Sequence, residues 1–122
     1  MSGIEEDKDR EDRIDMEIIV DTYGSEERAM GWYYYVADNC NFPFKAKCLS
    51  ERRISPLTVN EEVEVSGMPP EEECEKEIFV DIKWNDRRLA VPLSQLAGID
   101  MDDETRQVMD DWHYWVEKKY QF

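Results

Sequence analysis

The sequence predicts an α+β fold: two N-terminal helices, a small antiparallel SH3-like sheet or barrel of four to five strands, and a C-terminal amphipathic helix. Two changes of apolar period carry this expectation. Spacing of three and four residues before Pro43 gives way to alternation from Phe44, and helical spacing returns after Asp100. The third observation is size: 122 residues with 41% hydrophobic and 11% aromatic content can bury one core, even at a net charge of −15.

Residues 1–12 hold six acids, two bases and, after Met1, one large apolar residue, Ile4. Such a segment buries too little surface to offset its ordering entropy, so a flexible acidic tail is expected, with 13–122 a single domain. Ile14, Met16, Ile18, Ile19, Val20 and Tyr23 then recur at helical spacing up to Gly24. Ser25 is placed to cap a second helix, with Glu26 and Glu27 in its first turn. Ala29, Met30, Tyr33, Val36, Ala37 and Cys40 form the apolar stripe of that helix, and Pro43 ends any continuation. Phe44, Ala46 and Cys48, then Val63 and Val65, then Ile78, Val80, Ile82 and Trp84 alternate with polar partners and read as half-buried strands. Asn85-Asp86-Arg87 supplies turn chemistry before Leu89-Ala90-Val91, so 78–92 reads as a hairpin. Asp100 or Asp102 caps the last helix, whose stripe is Val108, Met109, Trp112, Trp115 and Val116. No internal repeat interrupts this order.

The charge is unevenly placed. Residues 61–77 carry eight acids against Lys76, and 100–111 carry six against Arg106, whereas the remainder outside the first twelve residues is balanced to within one charge. A chain this acidic repels phosphate backbones and anionic headgroups, which argues against direct nucleic-acid or membrane binding and for cations or a basic protein partner. No apolar run approaches bilayer length. The opening residues lack both a basic n-region and an apolar h-region, so a cytoplasmic location is expected; the expected assembly state is a monomer. Cys40, Cys48 and Cys74 make no C-x-x-C pair and read as buried free thiols. His113 is the single histidine, so one chain cannot build a multi-histidine metal site; its expected place is the border of a packed helix. Nucleotide-loop, zinc-protease and serine-hydrolase motifs are all missing from the sequence, and no enzyme is expected.

Clustered carboxylates suit a hard cation. Glu62-x-Glu64-x-Ser66-Gly67 with Glu73 falls on calcium-loop spacing, but Pro69, Pro70 and strand-like flanks rule out an EF-hand. Charge density leaves Glu71, Glu72, Glu73 and Glu75 as candidate ligands; the alternative is a polar outer sheet face with an acidic loop that discourages edge pairing. Asp38 lies near the C-terminal, negative end of the second helix, where an ionised carboxylate is unfavourable unless a cation accompanies it; the alternative is a simple turn residue. Helix capping accounts for the acids from Asp100 to Glu104.

Six motifs in order, Gly31-Trp-Tyr-Tyr-Tyr35, Asn41-Phe-Pro-Phe-Lys-Ala46, Ser55-Pro-Leu57, Ile78-Phe-Val80 to Trp84, Leu89-Ala-Val-Pro-Leu-Ser-Gln-Leu96 and Asp111-Trp-His-Tyr-Trp115, resemble the small acidic calcium-binding proteins of the CcbP-like family. The resemblance runs from about Ile18 to Phe122. It implies a cytosolic Ca2+ buffer or sensor of the non-EF-hand type and favours Asp38, which follows the Gly31–Tyr35 motif, as a ligand. The competing expectation is an acidic interaction module that docks a basic surface or mimics nucleic acid.

Overall fold

The computed structural model describes residues 7–20 and 22–118. Helix α1 (Lys8–Arg13) runs into a π-helical turn (Ile14–Ile18), followed by α2 (Ser25–Asn39), strands β1 (Phe44–Cys48) and β2 (Glu62–Gly67), and a 3-10 turn (Glu71–Cys74). Strands β3 (Phe79–Trp84) and β4 (Arg87–Pro92), a second 3-10 turn (Leu93–Gln95), β5 (Leu96–Ile99) and α3 (Asp103–Glu117) complete the chain. The strands form one antiparallel sheet in the order β4-β3-β2-β1-β5. Thus the expected α+β architecture is found. Among the described residues no helix is long and apolar enough to cross a membrane.

Alternation places the strands as expected. β1 buries Phe44, Ala46 and Cys48 and exposes Lys45 and Lys47. β3 and β4 join through a two-residue turn in which Asn85 and Asp86 have φ of 47° and 63°, the left-handed pair that a tight hairpin requires. β5 lay outside the strands assigned individually from sequence. It is four residues long and contains Gly98, so its period is too short to read; pairing with β1 creates it.

The helices differ from expectation in their ends and faces. The first begins six residues before Ile14, and its turns bury Ile14 and Ile18 while leaving Met16, Val20 and Tyr23 exposed. Residues 8–12 are therefore helical rather than a solvated tail; 1–6 lie outside the described residues. Ordering comes from polar contacts that apolar counting misses. Asp7 accepts the Arg10 N–H at 3.0 Å, and Arg10 and Arg13 reach the fully buried Asp111 of α3 at 3.1 and 2.6 Å. Helix α2 is capped by Gly24, not by the Ser25 side chain, and the Glu27 carboxylate reaches back to the Tyr23 N–H at 3.3 Å. Its core face is Ala29, Trp32, Val36 and Cys40. Trp32 centres the core, meeting Trp112 and Trp115 of α3 at centroid distances of 5.0 and 5.4 Å. A Cβ at Gly31 would collide with the Ile18 carbonyl oxygen, so glycine lets the π-helical turn pack against α2.

Asp102 caps α3 by accepting the Thr105 N–H at 2.7 Å, as expected for this region. Its carboxyl is held below the ordinary range first by that bond and then by the Asn41 amide. His113, partly buried at the edge of α3, bonds through Nε2 to the Leu96 carbonyl at 2.7 Å and ties the helix to β5. All three cysteines are free and buried, and burial pushes Cys40 up to about 12 and Cys74 up to about 11.

Candidate cation-binding cleft

Consecutive tyrosines on α2 point in three directions because each helical step turns about 100°. Tyr35 faces α3 and donates to Asp111 Oδ2 at 2.6 Å. Its phenol is raised to about 12, first by burial and then by that carboxylate. Tyr33 and Tyr34 face the segment after β2. Tyr33 donates to the Pro69 carbonyl at 2.6 Å, and Tyr34 donates to Glu71 Oε2 at 2.7 Å.

Between this face of α2 and the 3-10 turn lies a cleft of about 190 Å³, lined by Glu26, Ala29, Met30, Glu71, Glu72 and Glu75. Three residues per turn bring Glu72 and Glu75 to the same side of the 3-10 segment, while Cys74 turns into the core. Three of the four sequence-selected glutamates thus meet on one cleft. Glu73 does not line it and is exposed. Asp38 also stands outside the lining, one helical turn beyond Tyr34. It remains linked to the cleft electrically: the Tyr34 phenol is pushed up chiefly by its bond to Glu71, with Asp38 a smaller influence.

Sequence reading missed Glu26 as a cleft residue. Acids in a first helical turn are explained by the dipole, which hides a second use, yet Glu26, Met30, Tyr33 and Tyr34 follow one another at helical spacing along the face that meets the loop. Conversely, Glu62 and Glu64 are drawn into the outer sheet face, where they stand opposite Lys47 and Lys45, and Glu64 pairs with Lys83 at 3.0 Å. Glu77 forms a forked pair with Arg52 at 3.0 and 3.1 Å. Glu71, Glu72, Glu73 and Glu75, like Glu61 and Glu62 of the same window, have no cation at ion-pair distance among the described residues, and only Glu71, Glu72 and Glu75 of the window line the cleft.

The charged side chains of the lining are all carboxylates, beside Ala29 and Met30, and carboxylate oxygens fit calcium or magnesium better than a soft metal. Among the described residues no three acidic, histidine or cysteine side chains converge closely enough to hold an ion as they stand. Residues 62–73 form a strand and a 3-10 turn, so the segment has no helix-flanked calcium loop.

Fold and cleft define a small acidic α+β protein with a carboxylate-bearing groove between α2 and the 3-10 turn that follows β2. The calcium-binding family model named for CcbP matches residues 12–116, and the chain belongs to that family. A solved structure of CcbP from Anabaena is 42% identical, with a TM-score of 0.88 and 100% of both chains covered. Another, of a calcium binding protein in its calcium-binding form, is 41% identical with a TM-score of 0.87, again over 100% of both chains. No curated protein sequence matches the chain.

Proposed function

We propose that the protein buffers or senses cytoplasmic Ca2+ as a monomer, holding the ion through Asp38, Glu71, Glu72, Glu73 and Glu75. The observation that carries this reading is the cleft beside α2, which Glu26, Glu71, Glu72 and Glu75 line with no base among its described lining residues. Membership of a calcium-binding family supports calcium as the ion. Asp38 adds a charge in the last turn of α2, which contains no basic residue, so a cation relieves its repulsion with the helix end. Glu73, outside the cleft, contributes through its field. The calcium-binding domain is 13–122, extended by the docked helix α1. We read its sheet as SH3-like, supported by the 3-10 turn between β4 and β5 and by the return of β5 to the edge beside β1. A binding role without catalysis, nucleic acid or membrane fits the net charge of −15.

Calorimetric titration in physiological salt tests the reading. Binding at micromolar to low-millimolar calcium, tighter than magnesium, is expected. Glu72→Gln with Glu75→Gln should weaken calcium by about tenfold or more, near 1.4 kcal/mol, and Asp38→Asn by a similar factor. Glu73→Gln should do less. Parent affinity in the Asp38 and Glu72/Glu75 variants would place the ion elsewhere. A response to ionic strength alone, without calcium preference, would favour an acidic module for basic partners.

A further inference from the structure

We infer that Tyr33 and Tyr34 are positioning residues: their hydroxyls clamp the glutamate turn 71–75 against α2 and set how well it holds calcium. This rests on the proposed role of Glu71, Glu72 and Glu75. The acidic turn belongs to no strand, and four glutamates in five positions repel one another. Its described attachments are few. Cys74 seats it in the core and accepts the Phe79 N–H, and the Glu73 N–H reaches Pro70 within the turn. The other attachments come from α2, where adjacent tyrosines grip residues two apart: Tyr33 at the Pro69 carbonyl and Tyr34 at Glu71 Oε2, at 2.6 and 2.7 Å. Their rings meet edge to face at 5.3 Å and 90°, so each restrains the other.

The chemistry of the donor is what makes this a positioning device. Lys or Arg in place of Tyr34 would fix Glu71 equally well but cancel the charge that attracts the cation. A neutral phenol holds one carboxylate oxygen and leaves the charge in place, with Oε1 still able to accept a cation. Held at two points, the turn presents Glu72 and Glu75 to the cleft already ordered, and calcium need not impose that order on binding.

The test is calcium titration of Tyr33→Phe, Tyr34→Phe and the double variant at several salt concentrations, alongside Glu71→Gln. Each Phe variant should bind calcium about three- to tenfold more weakly, the loss of a hydrogen bond to a carbonyl or carboxylate, and the double variant more weakly still. Affinity should also fall more steeply with salt, because a loosened turn acts through a screened field. A merely structural tyrosine would not change that slope. In a Glu71→Ala background, which removes the acceptor, Tyr34→Phe should lose most of its effect, whereas Tyr33→Phe should keep it. Tyr34 is 51% exposed, so its Phe variant will fold and can decide the matter alone. Parent affinity and salt slope in both Phe variants, with Glu71→Gln weakened, overturns the clamp and leaves the cation reading standing. Tighter binding by Tyr34→Phe also overturns it, because Tyr34 would then withhold Glu71. Parent affinity in Glu71→Gln, Glu72→Gln and Glu75→Gln removes the cation reading and the clamp with it.

Discussion

Asp81 lies on β3 with 12% of its side chain exposed, and its nearest cation, Arg88, is 4.0 Å away. Burial raises its pKa, and Arg88 offsets this only in part. Because its pKa in the folded protein exceeds the ordinary 3.8, the unfolded chain releases this proton first. Stability from Asp81 is therefore lost as pH rises from about that value through the raised one, and the penalty persists at neutrality. Asp81→Asn should stabilise the protein at pH 7, by under about 1 kcal/mol given the residual exposure and the lost attraction to Arg88. It should also flatten the fall in stability above the ordinary carboxyl range. Urea midpoints at pH 3.5 and pH 7 measure both, and a variant less stable than the parent at pH 7 would show that the Arg88 pair outweighs desolvation. Asp111 has the opposite environment, with two arginines and Tyr35 around it. Its burial was partly legible: position 111 lies between Val108 and Trp115 on the apolar stripe of α3, where a carboxylate must have partners. The identity of those partners was not legible, since 76 residues separate Tyr35 from Asp111 and 98 separate Arg13 from it along the chain.

At the level of elements, period-two alternation identified β1 and β2 because each has one buried and one wet face, whereas the β3–β4 hairpin was legible from its apolar alternation and turn residues although β3 buries Asp81 along with Val80 and Ile82. The same counting failed for α1, which buries no residue of its own and is held by charge and caps. Arg13 grips Asp111 through two bonds of 3.0 and 2.6 Å, Arg10 adds a contact at 3.1 Å, and the Asp7 N–H donates to the Tyr114 hydroxyl at 3.0 Å. Removing the buried acid leaves two cations facing each other with little between them. Asp111→Ala should destabilise the protein by about 3 kcal/mol, the scale of breaking a buried ion pair, and release α1 with the π-helical turn behind it. Hydrogen exchange is the discriminating measurement: amides of 10–14 should lose protection well before those of β1–β3. Uniform loss across the molecule, or unchanged protection in 10–14, would mean that Asp111 does not hold the helix. The cleft was legible to a similar extent. Charge density marked Glu71, Glu72 and Glu75, but which glutamates face α2 depends on a 3-10 turn and two tyrosine bonds that no spacing rule encodes.

Across the whole molecule, a net charge of −15 is confined largely to a few segments, and folding brings one of them against a face of α2 that lines the cleft with Glu26 and, among the described lining residues, no base. The folded state therefore concentrates repulsion that the unfolded chain spreads out, and a cation bound in the cleft acts on the folded state alone. Calcium should then raise stability by RT ln(1 + [Ca]/Kd), about 2.7 kcal/mol at a hundredfold excess over Kd. For a chain of 122 residues that corresponds to a rise in Tm of roughly 10 °C. Magnesium should give a smaller rise, because it surrenders its waters reluctantly and needs a tighter octahedron than a cleft of flexible carboxylates supplies. Sodium chloride at matched ionic strength should give less again, since screening weakens repulsion without occupying a site. Differential scanning calorimetry with the three salts separates the contributions. The dependence on concentration is the sharper criterion: a site gives a Tm that climbs with the logarithm of free calcium above Kd, whereas screening saturates as the Debye length falls below the spacing of the glutamates. Equal shifts from calcium, magnesium and matched sodium would mean that the acidic windows act as a diffuse field and that the cleft selects no ion.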